Sequence, residues 1–80
     1  MKIPMIFNDE FFKDIIIPGI KPIYAISNYG TVMNIITGRI LSPYMIHNGY
    51  LCIDLVNESG GTTKFLIHRL LMMTFHPIDN

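Results

Sequence analysis

The apolar positions of this chain change their period twice. Over residues 1–14, Phe7, Phe11 and Phe12 fall near helical spacing among Asp9, Glu10 and Asp14. Asn8 or Asp9 is therefore expected to cap a short helical turn running through Asp14. Ile15-Ile16-Ile17 then reads as an extended buried segment that turns at Pro18-Gly19, because the proline biases Ile17 away from helical geometry. From residue 23 the period falls to two. Tyr24 and Ile26 alternate with Ala25 and Ser27, the pattern of a half-buried strand. Ser27-Asn28-Tyr29-Gly30 is a turn: the Ser and Asn side chains bond nearby backbone, and Gly30 takes positive φ without steric cost. A second strand is expected over 31–35, a turn at Thr37-Gly38, and a short return strand at Arg39-Ile40-Leu41 stopped by Ser42-Pro43. Residues 44–48 connect to Asn48-Gly49, the strongest short turn signal in the chain. Residues 50–56 and 62–67 read as two strands of a hairpin around the polar loop 57–61. After Ile67 the spacing returns to helical: Leu71 and Phe75 lie four apart, Leu70, Met73 and Thr74 fill the turns between, and Pro77 ends the element.

The pattern predicts an α+β fold, a small antiparallel β-sheet of four to five short strands with one C-terminal helix. Eighty residues make a single domain, 1–80, divided into an N-terminal segment 1–17, a β-ribbon or sheet over 18–67 and the helix over 68–76. Such a chain has a thin core. Its apolar share of 50% argues against disorder and is high for so small a surface, which leaves room for an apolar contact patch.

Formal net charge is zero, with six basic and six acidic residues. A duplex-binding surface ordinarily carries a basic excess, since phosphate neutralisation supplies much of its affinity. Here Asp9, Glu10 and Asp14 sit near the start, and Lys21, Arg39, Lys64 and Arg69 lie in the body against Asp54, Glu58 and Asp79. Cys52 is the single cysteine, so no internal disulfide is expected and a reducing compartment fits. Lys2 is followed by Pro4, Asn8, Asp9 and Glu10, which interrupt any apolar leader, and no apolar run reaches the roughly 18–20 residues of a membrane span. The expectation is a cytoplasmic protein with no membrane partner.

Several ordered pieces carry a resemblance. Ile17-Pro18-Gly19 followed by Tyr24-Ala25-Ile26-Ser27-Asn28-Tyr29-Gly30-Thr31-Val32 resembles the NUMOD-type DNA-binding motif of HNH homing endonucleases, which reads Ile-Pro-Gly, a spacer, then Tyr-x-Val-Ser-Asn-x-Gly-x-Val. Phe12-Lys13 stands where that motif has Trp-Lys. Gly38-Arg39-Ile40-Leu41-Ser42-Pro43, Asn48-Gly49-Tyr50 and Ile67-His68-Arg69-Leu70 are similar to the segment that leads into the nuclease. The likeness spans residues 12–77 and implies a DNA-binding module of a phage or mobile element, in the cytoplasm of its host. It departs at Met33-Asn34, where related domains commonly place a basic residue. The family's catalytic constellation follows the Ile-His-Arg-Leu helix in a sequence like Asp-His-Ile-Asp-Gly. Here His76-Pro77-Ile78-Asp79-Asn80 stands instead, so no catalytic residue carries over and no enzyme activity is expected.

A β-ribbon fits the major groove, and its outward side chains reach base edges. The candidate contacts are Asn28, Tyr29, Thr31, Asn34, Arg39, Asn48, Tyr50 and Lys64, with Tyr44 and His47 beside them. Arg39 suits guanine and Asn34 adenine. His68 and Arg69, at the start of the helix, suit a phosphate. Residue by residue, the commoner reading is an ordinary polar side chain of a strand or turn. His47, His68, His76 and Cys52 show no CxxC or HxxxH spacing, so no metal is expected, nor any other cofactor. Cys52 reads as a small buried hydrophobe. Two functions remain open. One is a module that binds DNA, or RNA, without the catalytic site. The other is a phage-encoded inhibitor or regulator, anti-CRISPR-like and derived from such a module, whose partner is a host or defence nucleic-acid-binding protein. Zero net charge favours the second, and the ordered motifs favour the first.

Overall fold

The structure, a computed structural model, describes residues 10–75. The alternating segments pair with their sequence neighbours as six short strands, β1 (Phe12–Asp14), β2 (Tyr24–Ser27), β3 (Val32–Asn34), β4 (Tyr44–Met45), β5 (Leu51–Val56) and β6 (Thr62–Leu66), and one helix, α1 (Ile67–Phe75), follows. All pairings are antiparallel, in two three-stranded sheets ordered β1-β2-β3 and β4-β5-β6. The α+β class holds. The single sheet of four to five strands is corrected to two sheets, because β4 pairs forward with β5 and not back with β3.

Three hairpin turns share one construction. At 27–31, 46–50 and 57–61 the fourth residue, always glycine, donates its N–H to the carbonyl of the first, and the first N–H donates to the carbonyl of the fifth. This is a type I turn closed by a bulge whose last position is left-handed. Asn48 does not take positive φ: among the described residues only glycines do, and Gly49 supplies it at +87°.

Two local expectations are corrected by pairing. Phe12–Asp14 is a strand and not a helical turn. It lies in register with Ser27, Ile26 and Ala25, and the edge of β2 offers it backbone partners that an isolated helical turn lacks. Tyr44–Met45, expected as connector, is the edge strand β4. Arg39-Ile40-Leu41 does return alongside β3, but through one bridge at Ile40–Met33, with Leu41 donating to Val32 O at 2.9 Å and Arg39 accepting from Asn34 N at 2.9 Å. The helix starts at Ile67, one residue before expected, directly from β6. The cap at Asn8 or Asp9, the residue His76 and the stop at Pro77 lie outside the described residues.

Ile15, Ile20, Tyr24, Ile26 and Val32 of the first half, Ile53 and Leu55 of β5, and Ile67 and Leu70 of α1 form one core. β2 is buried at all four positions and not at alternate ones. It is the central strand, its Tyr24 and Ile26 face the core, and small Ala25 sits in register between Asp14 and Met33. The two sheets are clipped together at the Pro-Gly turn. Lys21 N donates to Val56 O at 3.1 Å and Glu58 N to Gly19 O at 2.8 Å, and the buried Tyr24 hydroxyl accepts from Val56 N at 3.1 Å.

Candidate nucleic-acid interface

The expected contact residues divide according to whether the fold already uses their polar atoms. Ser27 is fully buried, and its hydroxyl organises the first turn. Its Oγ accepts from the N–H groups of Tyr29 and Thr31, both at 3.1 Å, and donates to Glu10 Oε2 at 2.7 Å. Asn28 Oδ1 accepts from Phe11 N at 2.9 Å while Asn28 N donates to Phe11 O at 3.0 Å, so this side chain clamps the incoming chain onto the turn. Asn34 Oδ1 accepts from Ile36 N at 2.8 Å and Thr37 N at 3.1 Å, an Asx-type turn of the kind that draws asparagine into such positions. Asn28, Thr31 and Asn34 are thus parts of turns, and Tyr29 projects from its tip, 60% exposed.

Arg39 is held by its backbone. Its N–H donates to Thr37 Oγ1 at 3.2 Å, and its exposed guanidinium has no partner among the described residues. It lines a cleft of about 480 Å³ with Tyr24, Asn34, Ser42, Tyr44 and Asp54. Tyr44, on β4, donates its hydroxyl to Asp54 Oδ1 on β5 at 2.8 Å. That hydrogen bond, with desolvation and the negative charge of Asp54 behind it, pushes the Tyr44 hydroxyl up to about 12.

The remaining candidates gather around β6 and α1. Lys64 lies in register opposite Asp54 and shares a shallow cleft with Arg69. Tyr50 and His68 are in ring contact, centroids 5.4 Å apart and planes tilted by 37°. Asn48 and His47 are exposed at the β4–β5 turn. The structure therefore brings together Arg39, Asn34 and Tyr44, then Lys64 and Arg69, then Tyr50 and His68.

Two residues were not among the contact candidates expected from the sequence. Asp54 enters the Arg39 cleft, and its only signal was a charge in an otherwise apolar strand. Lys13 lies over the Phe75 ring at 5.5 Å, and Phe75 makes an edge contact with Phe11 at 5.6 Å, both across a separation no local pattern reveals. Cys52 is buried and unpaired. Among the described residues no group of three His, Cys, Asp or Glu side chains gathers as a metal site, and no helix is long and apolar enough to cross a membrane.

Turns built on Ser27, Asn28 and Gly30, with the Ile-Pro-Gly segment clipped to β5, place this fold in a defined class. Residues 10–56 match the NUMOD4 motif, and the chain belongs to the NUMOD4 family. The match runs from the Glu10 partner of Ser27 to the end of β5. Among solved structures the chain is similar to the HNH homing endonuclease I-HmuI, whose structure is one of DNA binding and cleavage. Identity is 34% and the TM-score 0.68, over 81% of this chain and 36% of that one. The chain thus spans about a third of that endonuclease's length. No curated protein matches the chain.

Proposed function

We propose that this chain is a DNA-binding module of the homing-endonuclease type that does not itself cut. The observation that carries the reading is the NUMOD4 match together with 34% identity to an endonuclease that binds and cleaves DNA. The geometry supports it: Arg39, Lys64 and Arg69 are exposed, and none forms an ion pair among the described residues. A free guanidinium beside a turn makes paired hydrogen bonds to guanine or phosphate. The same surface suits RNA phosphates, and only a comparison of the two acids separates them.

The test is a titration of duplex DNA at two salt concentrations. Binding falls as salt rises, because each phosphate contact releases counterions. Arg39→Ala weakens it by roughly 1–3 kcal/mol. No binding at low salt overturns the reading.

A second reading, a protein partner, is favoured by the exposed apolar side chains Met45, Tyr50, Leu51, Met72 and Met73, which are 43–66% accessible. Binding through such apolar side chains tolerates salt and the Arg39 substitution. A pull-down from host lysate with and without nuclease treatment separates the two, because a nucleic-acid bridge is lost on digestion.

A further inference from the structure

We propose that the cleft between the two sheets is a pocket for an unpaired guanine base of a nucleic-acid strand; this rests on the nucleic-acid reading above and names the ligand of one part of that surface. The lining is of mixed sign. Arg39 brings a guanidinium with no partner among the described residues, and Asp54 brings a carboxylate from the neighbouring sheet. The two do not neutralise each other, since no ion pair joins them. Tyr44 holds the carboxylate through Oδ1, which leaves Oδ2 without a partner among the described residues. Asn34 is anchored through its Oδ1, so its amide nitrogen remains as a further donor at the rim.

A groove for the phosphate backbone would not carry Asp54, because like charges repel. A ligand that presents acceptors on one side and donors on the other uses both groups. Guanine has adjacent acceptors at O6 and N7, which suit the paired donors of an arginine. Next to them it has adjacent donors at N1 and N2, which suit a carboxylate. Adenine places an amino group where guanine has O6 and therefore confronts Arg39 with a donor. In a duplex the N1 and N2 donors are occupied by the paired cytosine, so the full set is free only on an unpaired base. The cleft, about 480 Å³, has room for a base, and Ile40, Leu41 and the ring of Tyr44 add apolar surface to its lining.

The test measures fluorescence anisotropy of the full chain with single-stranded oligo-dT carrying one central dG, dA or dC, and with a duplex, at one low salt concentration. The dG strand is expected to bind about tenfold tighter than the dA or dC strand, the discrimination of one good bidentate contact. Asp54→Asn keeps the size of an exposed side chain. It is expected to abolish the dG preference and leave duplex binding within about twofold, with circular dichroism unchanged. Equal binding of the three strands, or a dG preference that survives in Asp54→Asn, overturns the pocket. If the duplex binds in that case, the DNA reading stands without the pocket. If neither strand nor duplex binds, the DNA reading falls and the pocket with it.

Discussion

At the scale of single residues, the first turn depends on Ser27 and Gly30. Ser27→Ala leaves the N–H groups of Tyr29 and Thr31 without their acceptor, which costs about 1–3 kcal/mol, seen as a lower urea midpoint at unchanged slope. Gly30 has φ +93°, and a Cβ there would sit 3.2 Å from Ile67 Cγ2 of the helix. Gly30→Ala therefore combines backbone strain with a contact against α1 and is expected to cost roughly 1–3 kcal/mol in the same assay. Tyr44 gives a pH signature. Its phenol is raised from the ordinary value of 10.0 to about 12, first by the hydrogen bond to Asp54. The folded chain thus holds the proton more tightly than the unfolded one. This stabilising contribution is present below pH 10.0 and is lost as pH rises through about 12. In an ultraviolet titration, the difference between the wild-type chain and Tyr44→Phe shows a phenolate step near 12. Asp54→Asn moves that step downward, and a step that stays in place would remove Asp54 as the cause.

At the scale of elements, the contacts that matter run between strands distant in sequence. Leu55 of β5 and Leu70 of α1 are fully buried in the core that both halves share. Leu55→Ala or Leu70→Ala is expected to cost about 2–5 kcal/mol, enough to unfold much of a chain this small. Tyr24 links β2 to the end of β5 through its hydroxyl. Tyr24→Phe keeps the ring in the core but leaves Val56 N–H without that acceptor, for a cost of about 1–3 kcal/mol. Hydrogen exchange at the Val56 amide is expected to rise more than at amides within the β5–β6 hairpin, and uniform acceleration would show that the bond does not join the sheets.

At the scale of the whole molecule, the family places the chain beside an endonuclease of which it spans about a third. We expect the 80-residue chain to leave supercoiled DNA intact in magnesium or manganese. Nicking by pure protein, lost on a single His substitution, would refute this. Formal net charge of zero limits any long-range attraction to DNA, so the proposed DNA affinity rests on a few placed groups and not on an overall basic field. Salt dependence should accordingly report few phosphate contacts.

Much of the fold was legible because short hairpins are local. The turns at Gly30, Gly49 and Gly60, the strand pair around residues 57–61 and the helix after β6 follow from period and turn chemistry within about ten residues. Candidate residues were legible only as polar side chains at turns and strands. Whether Asn28 or Asn34 is a contact or a clamp depends on which backbone N–H comes to its oxygen, and for Asn28 that N–H belongs to Phe11, 17 residues away. The same holds for β1, a strand because β2 offers it an edge, and for Asp54, which meets Arg39 in a cleft only after two sheets are clipped at Gly19 and Val56. The sequence by itself determined the local turns, the strand and helix periods and the resemblance carried by its ordered motifs, since each rests on neighbours along the chain. Only the tertiary structure decided the division into two sheets, the burial of both faces of β2 and the mixed charge of the cleft. Those depend on hydrogen-bond partners and surfaces that distant segments supply when the core closes.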